Sequence, residues 1–179
     1  MKKSLQFIFL LCFAFTMSCS EENIPVTDFS CLEGISNFET NDCERGFDCT
    51  FDLEENATLK VEEMDNFTSV EIVDGTDLVF TYEKDKETDP NVADAGITET
   101  VRFVIPADSD EFSYADAELM NQNVVYTRTC FCGDAGTMRV TNGCVEGKKI
   151  KDGKWQIAIA LEAMGEVGTY PVQVFAEFD

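Results

Sequence analysis

Ile150-Lys151-Asp152-Gly153-Lys154-Trp155-Gln156-Ile157-Ala158-Ile159-Ala160-Leu161 is the stretch that decides the fold. Trp155, Ile157, Ile159 and Leu161 recur every second residue, the period of a strand with one buried face. Lys151-Asp152-Gly153-Lys154 has the polar, glycine-bearing composition of a turn, so Ile150 ends a second strand running the other way. Trp155 opens its strand on the apolar face and is expected in the core.

The same period spreads outward on both sides. Leu59 and Val61 lie two apart, as do Val70 and Ile72; Asp74-Gly75 then reads as a turn into Leu78, Phe80 and Tyr82. Lys84 to Ile97 is a polar loop, and Val101, Phe103 and Ile105 form another strand, ended by Pro106. Tyr114 to Met120 has the composition of one short helix. Val124 to Cys132 is a long extended run, Gly133-Asp134-Ala135-Gly136 turns it, and Thr137 to Thr141 returns. Asn142-Gly143 turns again before Cys144, and Val172, Val174, Ala176 and Phe178 close the chain. Many short strands separated by turns predict an all-β fold, an antiparallel β-sandwich with disulfide-stapled loops and at most one short helix.

Before this domain stands a different kind of sequence. Lys2 and Lys3 precede an apolar run from Leu5 to Phe15, broken only by Gln6. Its length suits the apolar part of a signal peptide and falls short of the about 20 residues that span a bilayer. Thr16-Met17-Ser18-Cys19 resembles the lipobox of bacterial lipoproteins, with Thr16 where that family usually carries Leu. The resemblance implies that Cys19 is lipidated and becomes the mature N-terminus. In the Gram-negative members Ser after that cysteine is compatible with outer-membrane sorting, and Ser20 stands there; Glu21-Glu22 is similar to the acidic pair that directs some of them to the cell surface. The expected organisation is therefore a signal peptide over 1–18, a lipidated cysteine and tether over 19–29, and one acidic β domain over 30–179.

Glu166-Val167-Gly168-Thr169-Tyr170-Pro171-Val172 carries a second resemblance, to the tyrosine corner of immunoglobulin-like domains. There Asp-x-Gly-x-Tyr leads into a late strand and the tyrosine hydroxyl bonds back to nearby backbone. Here Glu166 replaces the Asp and little chain follows Tyr170.

The chain carries 13 Lys and Arg against 35 Asp and Glu, a net charge of −22, and no histidine. Removal of Lys2 and Lys3 with the leader makes the mature charge −24. Nucleic acid is bound through Lys and Arg and is excluded as a partner. Anionic lipid headgroups repel such a domain, so the lipid anchor alone must hold the membrane. The missing histidines remove the commonest general base and transition-metal ligand.

Eight cysteines are present. Cys12 leaves with the leader and Cys19 takes lipid, which leaves Cys31, Cys43, Cys49, Cys130, Cys132 and Cys144. In an exported chain these six are expected to be oxidised. Two triplets that pair completely share an odd number of bridges, so at least one disulfide joins the N-terminal stretch to the later sheet. If Cys130 and Cys132 lie on one face of a strand, their Cα atoms are roughly 7 Å apart, the limit of bridging geometry. The expectation is that one of them pairs with Cys144 and the other with the first triplet. No Cys-x-x-Cys pair marks a zinc, iron–sulfur or redox site.

Asp85, Glu87, Asp89 and Asn91 place oxygens at alternate positions, as the start of a calcium loop does. The EF-hand pattern fails at Pro90 and Gly96, so the leading reading of this segment is a solvated acidic loop with no cofactor, and the alternative is a looser Ca²⁺ site completed by Asp94, or by Asp108 and Asp110. No other cofactor is implied. Among catalytic groups only carboxylates are on offer; a paired Asp and Glu would run glycoside hydrolysis. No nucleophile elbow or phosphate-binding loop occurs. The leading reading is a non-catalytic, lipid-anchored binding or accessory module with a protein or glycan partner. The alternatives are a carboxylate-dependent polysaccharide hydrolase and a calcium-stiffened adhesin-like module.

Overall fold

The period-two runs become nine antiparallel strands in the computed structural model, which describes residues 29–33, 39–65, 67–86 and 96–179. They are β1 (Phe47–Met64), β2 (Phe67–Lys86), β3 (Ile97–Pro106), β4 (Glu111–Ala115), β5 (Val125–Cys130), β6 (Gly136–Arg139), β7 (Gly143–Lys149), β8 (Trp155–Met164) and β9 (Thr169–Phe178). One short helix, α1 (Ala117–Asn121), stands between β4 and β5. β1, β2, β3, β5 and β6 form one sheet in that order, and β4, β7, β8 and β9 form the other. The Ile150–Lys154 turn joins β7 to β8, with Lys149 opposite Trp155. The sequence reading ran helix through Tyr114; that residue belongs to β4 and packs on Phe112 with ring centroids 5.4 Å apart.

The two sheets bury their facing sides against each other. Phe80 lies at the centre, stacked on Phe103 at 5.2 Å and edge-on to Trp155 at 5.7 Å and Phe178 at 5.5 Å. Trp155 is fully buried, as its place at the head of an apolar face requires. Offset and edge-to-face rings add roughly 0.5–1.5 kcal/mol per pair beyond the area they bury.

Asp74-Gly75 is not a turn. β2 runs straight through it, and its partner is β1, with the reversal between Met64 and Phe67. Between the Glu55–Leu78 and Thr58–Val73 pairs, two residues of β1 face four of β2. This bulge flips the faces of both strands. Leu78, Phe80 and Tyr82 enter the sandwich, whereas Val70 and Ile72, of the same parity, join an outer cluster. Gly75 permits the bulge: a Cβ there would lie 2.7 Å from the Ala57 carbonyl carbon.

Beyond the bulge the β1–β2 arm folds across the outer face of the five-stranded sheet. Ala57, Leu59, Val61, Val70 and Ile72 pack on Val79, Val104 and Val125. The arm reaches the far edge, where Arg139 Nε of β6 donates to Glu63 Oε1 at 2.8 Å. The other sheet is covered by the N-terminal segment. Phe29, the last residue assigned to the tether, is 1% exposed and meets Phe175 edge-on at 5.2 Å. Ser30 Oγ and Cys31 N both donate to Glu146 Oε2. Asn41 then occupies the free edge of β9: its N–H donates to Phe175 O and its Oδ1 accepts from Glu177 N at 2.7 Å. Occupying an edge in this way blocks pairing with another chain.

The disulfides are Cys31–Cys144, Cys43–Cys49 and Cys130–Cys132. One bridge joins the two triplets, as parity requires. The expected Cys144 partner was wrong, and so was the separation of Cys130 from Cys132. β5 ends at Cys130, so Cys132 lies in the bend after it and the Cα atoms come within 5.3 Å.

Candidate functional site

Asp134 is the residue around which one end of the sandwich is built. It sits in the β5–β6 loop with 5% exposure, although Gly133-Asp134-Ala135-Gly136 reads as an ordinary turn. Its carboxylate accepts from Val167 N at 3.0 Å, Gly168 N at 3.1 Å and the Tyr170 hydroxyl at 2.6 Å. Tyr170 therefore does not make the immunoglobulin-like corner; its hydroxyl crosses to another loop instead of returning to nearby backbone. Gly165 makes room for the carboxylate, since a Cβ there would lie 2.6 Å from Asp134 Oδ2. The Tyr170 hydrogen bond holds the Asp134 carboxyl below its ordinary range, helped by backbone N–H groups and opposed by burial. The same bond pushes the Tyr170 phenol up, because a donated proton favours the neutral form.

A charged row runs from this clamp across the interior face of the five-stranded sheet. Lys84 lies opposite Glu99 in the β2–β3 register, and Glu99 lies opposite Arg128 in the β3–β5 register. Arg128 stands 4.3 Å over the Tyr170 ring and 3.6 Å from Glu99 Oε1. Tyr126 stacks on Tyr170 at 5.9 Å and donates to Glu99 Oε1 at 2.8 Å. Lys84 reaches Glu44 at 2.5 Å and lies 4.1 Å over the Phe47 ring. Glu44 is held within the short loop that Cys43–Cys49 closes.

Lys84 and Glu99 of this row, with Glu44, Tyr82, Tyr126 and β9 residues Pro171–Gln173, line a cleft of about 330 Å³ that Asp42 and Val101 complete. Its tyrosines are hydrogen-bond donors throughout the neutral range. Burial first, then the Glu99 and Glu44 charges, push Tyr82 up to about 12, and burial with the Glu99 bond raises Tyr126 further. Glu99 gives one oxygen to Tyr126 and Arg128 and faces Lys84 with the other. A glycosidase acid must offer a proton to a leaving group; Glu99 is committed to its neighbours.

The surface above the clamp is of another character. Phe131 is 89% exposed, Met164 77% and Val167 79%. Phe131 and Val167 project from the two loops that Asp134 ties together and Met164 ends β8 beside them, and Gly133–Met138 with Met164–Glu166 enclose a shallow depression of about 460 Å³. These large apolar side chains on so acidic a protein are the candidate contact residues.

Among the sites read from sequence, Asp85 accepts a hydrogen bond from Thr98 Oγ1 at 2.7 Å at the end of β2. Glu87, Asp89, Asn91 and Asp94 lie outside the described residues, as do the signal peptide and Cys19. Among the described residues no three His, Cys, Asp or Glu side chains converge as a metal site requires. The sequence reading did not single out Asp134, Phe131 or the Lys84–Glu99–Arg128 row. The row was accessible in principle from the opposition of charges once strand register was known; the exposure of Phe131, between two cysteines of an extended run, carried no signal. No protein-family model matches the chain, and no curated protein or solved structure matches it either.

Proposed function

We propose that this protein is a non-catalytic, lipid-anchored interaction module of the outer membrane, exposed on the cell surface and held there by Cys19. The observation that carries the interaction role is the exposure of Phe131, Met164 and Val167 on or beside the two loops that Asp134 ties together. Loops whose backbone is already tied bind at lower entropic cost, because less of the chain has to be ordered on contact. The rest of the strongly acidic surface repels anionic lipid and keeps Phe131, Met164 and Val167 clear of the bilayer. The anchor rests on the resemblance of Thr16–Cys19 to a lipobox; several acyl chains on one cysteine hold a protein to a membrane near-permanently.

Two measurements test this. Mass analysis of the native N-terminal peptide is expected to show acylated Cys19, and Cys19→Ser to move the protein out of the membrane fraction. Crosslinking in intact cells is expected to yield a defined adduct that Phe131→Ser/Val167→Ser abolishes while the melting temperature is kept. An unmodified Cys19, or an adduct that survives loss of both side chains, overturns the corresponding half of the reading.

A further inference from the structure

Cys130 and Cys132 are bonded to each other at the end of β5 with one residue between them. A bridge stabilises chiefly through the chain entropy it removes, which grows with the loop it closes. Cys31–Cys144 spans 113 positions and Cys43–Cys49 spans 6, whereas Cys130–Cys132 spans 2. The third bridge therefore constrains the chain least of the three. It is also within reach. Cys132 is exposed, Cys130 half-buried, and Phe131 between them is 89% exposed. Accessible bridges are the ones that exchange, since a thiolate must approach one sulfur along the S–S axis.

We propose that Cys130–Cys132 is an exchangeable disulfide that oxidises dithiols in extended polypeptides lying against Phe131. A substrate thiolate attacks the exposed Cys132 Sγ; a substrate–Cys132 bond forms, the Cys130–Cys132 bond breaks, and its electron pair leaves on Cys130, which takes a proton. A second substrate thiolate then attacks the substrate sulfur of this mixed disulfide and releases Cys132. Two electrons pass from the substrate dithiol to the bridge, and one turnover leaves Cys130 and Cys132 as thiols. The tie between the two loops does not rest on the bridge: Asp134, two residues on, is held by Val167, Gly168 and Tyr170, and the two longer bridges lie elsewhere in the fold. The proposal shares Phe131 with the interaction surface but does not depend on a resident partner.

The test uses the mature chain with glutathione buffers and a reduced peptide bearing two cysteines beside leucine. Differential alkylation is expected to find Cys130 and Cys132 reduced in buffers that leave Cys31–Cys144 and Cys43–Cys49 oxidised. One equivalent of peptide is expected to be oxidised per protein, and Cys130→Ser, its free Cys132 first activated as a mixed disulfide with glutathione, is expected to hold on Cys132 a version of the peptide with one cysteine replaced by serine, since no second thiolate is then present to release it. Cys130→Ser/Cys132→Ser is expected to slow peptide oxidation at least about tenfold while keeping the melting temperature and the crosslinked adduct, which separates loss of exchange from loss of binding. Reduction of this bridge only when the whole domain unfolds, or wild-type oxidation by the double variant, overturns the proposal.

Discussion

The Tyr170 hydroxyl donates to Asp134 Oδ2 at 2.6 Å, joining the strand that ends the chain to a loop of the opposite sheet. Arg128 and Tyr126 pack on the same ring, so this single bond links the clamp to the Lys84–Glu99–Arg128 row. Phe131 and Val167 stand in the two loops that the Asp134 carboxylate joins.

The clamp has a defined pH dependence. The folded pKa of Asp134 is lowered, so its contribution is complete above the unfolded carboxylate value of about 3.9 and is lost as pH falls through the lower folded value. Asp134→Asn is expected to lower the melting temperature by roughly 5 °C near neutral pH. The gap to wild type is expected to narrow as the pH drops below about 4. Thermal unfolding of both proteins between neutral pH and strong acid measures it, and a gap independent of pH contradicts the assignment.

Gly165 supports the same carboxylate sterically. Gly165→Ala places a methyl group against Asp134 Oδ2 and is expected to destabilise the domain. In the double variant with Asp134→Asn the two losses are expected to sum to less than their separate values, because both disturb one contact. Additive losses in a denaturant cycle count against the clamp as the unit.

The arm is held to its sheet by burial. Leu59 is 5% exposed, and Leu59→Ala is expected to cost about 2–3 kcal/mol. Hydrogen exchange is expected to quicken at the β1–β2 arm while the Phe80–Trp155 core stays protected. Equal acceleration throughout would show that the arm and the sandwich open together.

The three bridges are expected to rank by the loops they close. Removing Cys31–Cys144 by paired Ala substitution is expected to cost about 4–5 kcal/mol, Cys43–Cys49 about 2 kcal/mol, and Cys130–Cys132 least, about 1 kcal/mol. Urea unfolding of the three double variants decides the order.

Strand content and antiparallel pairing were legible in the chain because alternation is a local pattern: Trp155, Ile157, Ile159 and Leu161 announce a buried face whatever they pack against. Parity likewise required one bridge between the two cysteine triplets. Whatever depended on phase or register was not legible. Val70 and Phe80 share parity, yet a bulge at Gly75 sends them to opposite sides of a sheet, and Asp74-Gly75 reads equally well as a turn until the register is known. Cys132 pairs with Cys130 only because β5 stops where it does. Asp134 is an ordinary turn residue until tertiary structure brings Val167, Gly168 and Tyr170 to its carboxylate, burying one acid among thirty-five and leaving Phe131 in solvent. Local periodicity determines which residues want a buried face; only long-range hydrogen bonding decides which faces meet.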